Sequence, residues 1–177
     1  MDIGGSLPVL YLSLLLVLLS AAAFFIVRQA IQTRKIEGTL SRLEGKLAKE
    51  KGTAQEYYEL GGIYLQKKLF SQAVKQFERA LKAPTLETVE SAPIYNALGF
   101  AYFAQEQYDI AIRQYKEALK IKPEYVTALN NLGHAYERKQ LIPSAIETYE
   151  QVLNLEPQNG VAKRRLEALQ KRLVPSS

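Results

Sequence analysis

The sequence predicts an all-α chain: an N-terminal transmembrane helix, three stacked helix-turn-helix repeats and a C-terminal capping helix. Two observations carry that prediction. The stretch from Ala92 to Asn159 says nearly the same thing twice. Tyr95, Leu98, Gly99, Tyr102, Ala111, Tyr115, Ala118 and Pro123 recur 34 residues on as Leu129, Leu132, Gly133, Tyr136, Ala145, Tyr149, Val152 and Pro157. The second observation is a 21-residue apolar run, Leu7 to Val27, with no charge between Asp2 and Arg28.

Behind a short tail, residues 1–6, the run 7–27 would span about 31 Å as a helix, the thickness of a bilayer core. The rival reading is a cleavable export signal with Ser20-Ala21-Ala22-Ala23 as its cleavage site. Two features oppose it. The start carries Asp2 and no Lys or Arg, and the apolar run continues past the small residues through Phe24, Phe25, Ile26 and Val27. A retained anchor is therefore expected. Arg28, Arg34 and Lys35 follow the span and no basic side chain precedes it, so the C-terminal part is expected on the cytoplasmic or stromal side. That part holds all 23 basic and 17 acidic side chains, a net charge of +6.

Residues 28–52 are expected to form a helical connector. Ile36, Leu40, Leu43 and Leu47 step by four, three and four, an apolar helical stripe. It suits either packing of a stalk or a weak self-association seam. Arg34, Lys35 and Arg42 suit contact with anionic headgroups.

The first repeat, 54–87, is read from Tyr57, Leu60, Gly61, Tyr64, Ala73, Phe77 and Ala80. Leu60 to Leu98 is 38 residues rather than 34, so four residues have been inserted before the second repeat, 92–125. The stretch Ala83 to Pro93 is the expected surface loop. The third repeat is 126–159. Thr53-Ala54-Gln55-Glu56 has the spacing of a capping box and marks the start of the first helix. Ser71 and Asp109 are expected to cap second helices, with Pro143 in the corresponding place of repeat three. Gly61, Gly99 and Gly133 each cost about 1 kcal/mol of helix propensity. Glycine kept at that cost predicts a close approach, expected from another backbone. Residues 160–173 form the last helix, with Val161, Leu166, Leu169 and Leu173 on its apolar side. Lys163, Arg164, Arg165, Lys171 and Arg172 make its other face either a polar cap or a basic docking patch.

Composition removes several functions. There is no Cys, hence no disulfide framework, Cys-based zinc site or thiol nucleophile. One His and two Asp leave no catalytic set and no metal site, and no cofactor is expected. The charge of +5 is dispersed among Glu, which suits a solvated helix surface rather than nucleic-acid binding.

The period of 34 with these apolar, small and aromatic positions, closed by Pro, resembles the tetratricopeptide repeat family. Tyr57, Tyr95 and Leu129 replace its favoured Trp, Thr85 stands where the first repeat's Pro would be, and Val152 replaces a small residue. The Met1-Asp2-Ile3 start, the Leu-rich span and the opening Lys51-Gly52-Thr53-Ala54-Gln55-Glu56-Tyr57-Tyr58-Glu59-Leu60-Gly61 are similar to the membrane-anchored tetratricopeptide proteins of cyanobacteria and plastids implicated in photosystem I assembly. That resemblance implies a non-enzymatic scaffold at the thylakoid membrane, with a photosystem I subunit or assembly intermediate as partner. An anchored receptor for other proteins is the alternative.

The family resemblance also implies a concave groove, lined by first helices, that holds a partner segment. Its residues here would be Tyr58, Gly62 and Leu65, then Asn96, Phe100 and Phe103, then Asn130, His134 and Glu137. Asn96 and Asn130 would stack on one wall. Phe100 and Phe103 would be an apolar anchor or would pack on the neighbouring repeat. The family's chaperone-tail binders use basic side chains where this chain has Tyr58, Gly62, Ala97, Thr127 and Asn131, so that use is not expected.

Overall fold

A computed structural model describes residues 6–86 and 90–173. Among these the chain is helical with no strands, in two units divided between residues 46 and 47. The first unit is one helix. α1 (Ser6–Leu47) runs through the apolar span without stopping at Val27, so the span and residues 28–47 of the connector are a single element, and residues 48–52 lie outside the helix. Every large apolar side chain from Val9 to Val27 is 51–67% exposed, and the helix is long and apolar enough to cross a membrane. Further along, Leu40 and Leu43 of the predicted stripe are buried. Residues 1–5 of the expected tail lie outside the described residues.

The second unit stacks α2 (Ala54–Gln66), α3 (Phe70–Lys82), α4 (Ser91–Ala104), α5 (Tyr108–Ile121), α6 (Val126–Arg138), α7 (Ile142–Leu155) and α8 (Gly160–Leu173). Each helix packs chiefly on its chain neighbours, as a quasi-one-dimensional array must. Three buried clusters hold it together. Ala73, Phe77, Ala80, Ile94, Leu98 and Ala101 form the first. Ala111, Ile112, Tyr115, Leu132 and Ala135 form the second, and Leu129, Ala145, Tyr149, Val152, Ala162 and Leu169 the third. The second and third clusters both draw on α6, so neighbouring repeats share it and no helix pair closes a core alone.

What approaches the helical glycines is a ring rather than a backbone. A Cβ on Gly61 would stand 2.5 Å from the Phe77 ring, one on Gly99 2.7 Å from Tyr115, and one on Gly133 2.8 Å from Tyr149. All three rings are buried. The repeat is thus a hydrogen-for-ring exchange: the first helix gives up a side chain so that the second can lay an aromatic against it.

The α2 start has its capping box complete. Thr53 Oγ1 accepts from Glu56 N–H at 3.2 Å, and Glu56 Oε2 accepts from Thr53 N–H at 3.0 Å. The second helices begin differently from expectation. Their flanking residues are Leu69, Gln107 and Leu141, none with a side-chain cap, so Ser71, Asp109 and Pro143 stand inside the first turn. The cause is the turn before them. Lys68, Glu106 and Gln140 take left-handed φ of 58°, 61° and 58°. The next amide then reaches back to the preceding helix, Leu69 N–H to Tyr64 C=O at 2.8 Å and likewise Gln107 to Tyr102 and Leu141 to Tyr136. This turn starts each second helix two residues earlier than the expected cap position. Ser71 Oγ instead donates to Gln105 Oε1 at 3.1 Å, and Asp109 pairs with Lys139 at 2.9 Å.

The inserted loop is shorter than expected, because Pro93 lies within the first turn of α4. Residues 87–89 of that loop lie outside the described residues. Thr85 Oγ1 accepts from the Ala54 N–H at 2.8 Å, tying the loop to the start of α2. In α8 the packing side chains are Ala162, Leu169 and the half-buried Leu166, while Val161 turns outward and the Leu173 side chain lies outside the described residues. Asn159 Oδ1 caps the helix by accepting from Ala162 N–H at 3.0 Å.

Candidate protein-binding groove

First helices meet one another directly, α2 with α4 and α4 with α6, more closely than the second helices do. They therefore form the inner side of the stack. In each, the Leu and Gly of the repeat face inward to the second helix, which leaves the positions before and after them for the inner surface.

In repeat one, Tyr58 is half-buried with its ring 5.9 Å from that of Phe77, and burial raises its pKa. Leu65 is half-buried on the same core cluster. Gly62 leaves open space, with nothing within 4 Å of where a Cβ would be.

In repeat two, Asn96 Oδ1 accepts from Asn131 Nδ2 at 2.9 Å, across the repeat boundary. Asn130 does not join it. Its Nδ2 donates to Val126 C=O at 3.2 Å and its Oδ1 is buried without a partner. Tyr125, just ahead of α6, lies close to Asn96, and burial raises the pKa of its hydroxyl. The two phenylalanines divide. Phe100 is 44% exposed. Phe103 is half-buried, its ring 5.3 Å from Tyr108 and 4.7 Å from His134.

In repeat three, Glu137 is already engaged. It accepts from Tyr149 O–H at 2.6 Å and pairs with Arg165 of α8 at 3.5 Å, its side chain only 13% exposed. That bond and the burial of Tyr149 hold the phenol's pKa far above its ordinary range. Burial lowers the pKa of His134, and Arg165 and Arg138 lower it against the opposing pull of Glu137. Arg138 itself lies over the Tyr108 ring at 4.8 Å.

Phe103 and His134 stack, while Phe100, one helical turn back on α4, stays exposed. Asn96 and Asn131 form a polar bridge across the repeat boundary, and Glu137 is engaged by Tyr149 and Arg165. Asn131, Tyr125 and Arg165 were not among the expected groove residues. Their signal is faint in sequence, because each acts through a partner one repeat away. No group of three or more His, Asp or Glu among the described residues is placed to hold a metal. A cavity of about 570 Å³ lies elsewhere, among Lys51, Tyr57, Arg79, Lys82 and Pro84. Lys82 and Arg79 end α3, where cations offset the helix dipole.

A stack of paired helices of this repeat architecture is an interaction scaffold, and the comparisons agree. The tetratricopeptide repeat model matches residues 54–84 and 126–159, and the TPR repeat model matches 99–140. The chain belongs to the tetratricopeptide repeat family. It is 36% identical over 168 residues to the tetratricopeptide repeat domain-containing protein PYG7, chloroplastic, of Arabidopsis thaliana, covering 95% of this chain and 56% of that one. It is 35% identical over 126 residues to the uncharacterized protein ycf37 of Guillardia theta, covering 71% of each. Among solved structures, the first TPR of Spaghetti (RPAP3), bound to HSP90 peptide SRMEEVD, superposes with a TM-score of 0.64. That match is 22% identical and covers 70% of this chain and 95% of that domain. The chain spans just over half the length of PYG7.

Proposed function

We propose that this chain is a membrane-anchored, non-enzymatic scaffold that holds a segment of a partner protein on the inner face of its first helices, during assembly of photosystem I. The observation that carries the groove is Phe100. The Leu and Ala positions of the repeat are buried in the core, yet this large ring, one helical turn from Phe103, stays 44% exposed. An exposed aromatic in that position suits an apolar anchor, the commonest energetic centre of an interface. The RPAP3 domain offers a precedent for peptide binding on this fold.

The anchor rests on the exposed apolar length of α1, and its cationic flank, Arg28, Arg34 and Lys35, favours repeats on the cytoplasmic or stromal side. The photosystem assignment rests on the resemblance in the opening residues and on plastid relatives such as PYG7 and ycf37. An anchored receptor for other proteins is the second reading. Catalysis is not proposed, since a tetratricopeptide scaffold of this kind works by binding.

The test is crosslinking followed by purification from solubilised native membranes. Photosystem subunits recovered with wild type and lost with Phe100→Ala support the proposal, at an unchanged melt. Recovery of precursor proteins instead favours the receptor. Full recovery of the same partners by Phe100→Ala removes the groove from the account.

A further inference from the structure

The step of 34 does not end with the third repeat. Asn96 and Asn130 lead to Arg164, Ala97 and Asn131 to Arg165, Phe100 and His134 to Ala168, and Ala104 and Arg138 to Arg172. Burial follows the same register. Ala162 and Leu169 of α8 are buried as Ala128 and Ala135 of α6 are. α8 therefore takes the register of a fourth first helix, tied to α6 through Arg165 and Glu137.

The helix is cationic in a way that its own stability does not explain. The first turns of α8 hold Lys163, Arg164 and Arg165 and no acid, although the amino end of a helix carries positive partial charge. A cap chosen only to end the stack would favour Asp or Glu there. Glu167 is the single acid in α8, and it stands at the position of Gly133, off the groove. Arg165 pairs with Glu137, a carboxylate that Tyr149 already occupies. Arg164, Lys171 and Arg172 have no ion-pair partner among the described residues. Arg165 and Arg138 both lower the pKa of His134, against Glu137, so cations of α8 and α6 stand near the Phe103–His134 pair.

We infer that α8 forms a basic end wall of the groove and takes an acidic segment of the partner protein, whose apolar residue rests on Phe100. The inference rests on the scaffold reading above and adds the partner's chemistry. From α4 to α8 is two first-helix steps, roughly 20 Å, so the acidic cluster should lie about six extended residues from the apolar one.

The test uses the full chain in non-ionic detergent and fluorescein-labelled peptides carrying one Leu and, about six residues away, a run of Glu. Leu is placed on either side of the run, and each peptide has a Gln counterpart. By fluorescence anisotropy at low salt, one Glu peptide should bind at least about tenfold more tightly than its Gln counterpart, and salt should erase the difference. Arg164→Gln with Lys171→Gln and Arg172→Gln should erase it too, leaving Gln-peptide binding unchanged. Lys75→Gln with Arg113→Gln, on second helices, should leave both peptides unaffected.

Equal binding of Glu and Gln peptides by wild type overturns the inference without any variant, so a misfolded variant cannot protect it. Stronger binding of phosphatidylglycerol-containing mixed micelles, displacing the peptide and lost in the triple variant, assigns the cations to headgroups and also overturns it. Phe100→Ala should weaken Glu and Gln peptides alike. If it weakens neither while the charge preference persists, the apolar anchor fails separately.

Discussion

At the scale of single residues, the fold depends on three missing side chains. Gly99→Leu would drive a side chain into a ring that stands 2.7 Å from the site of its Cβ. Overpacking of this kind costs about 1–3 kcal/mol, so the melting midpoint should fall. Gly99→Leu with Tyr115→Leu should recover part of the loss, because the second change empties the space that the first fills. Circular dichroism melts of both variants check it. His134 gives a prediction in pH. Its folded pKa lies below the ordinary 6.5, so the unfolded chain takes the proton first. Above about pH 6.5 it is neutral in both states and contributes no slope. As pH falls through the folded value stability is lost, and His134→Gln should show a smaller fall in midpoint over that window. The glycines were legible in the sequence because they recur at fixed spacing. That rings fill them was not, since the partner lies on another helix.

At the scale of elements, the turns between paired helices are the least legible part of the chain. Ser71, Asp109 and Pro143 have the chemistry of helix starts, and a cap at each is the natural expectation. A turn closed by backbone alone needs no such signal, and Lys68, Glu106 and Gln140 carry none that marks a left-handed φ. An L-residue there is strained by about 1–2 kcal/mol, part of which glycine regains against its greater freedom when unfolded. Gln140→Gly should therefore stabilise the chain, by about 0.5–1 kcal/mol, readable as a rise in denaturation midpoint. Gln140 has an exposed side chain, so little else changes. The groove was half legible for the same reason. Phe100 is visible as an aromatic outside the repeat's filled positions. The bridge from Asn96 to Asn131 depends on how two repeats rotate against each other, which no single repeat encodes.

At the scale of the whole molecule, α1 and the repeats are separate units with separate demands. The repeats have three core clusters of their own, while the side chains of residues 9–27 find no cover. Removing residues 1–27 should leave a helical protein that melts cooperatively and no longer sediments with membranes. If it still sediments at high salt, surfaces beyond the span hold it there. The two long-range signals, period and apolar run, were legible because each is written over tens of residues.

Glu167 bears on assembly. Gly133 is what admits the ring of a following helix, and at the equivalent place α8 offers a carboxylate. A second copy stacking head-to-tail on α8 would have to press an aromatic against that charge and strip its water. Arrays of this architecture have an open end by construction, and open ends invite fibres. At α8 the carboxylate of Glu167 stands against such head-to-tail growth, and the cations on its other side do not.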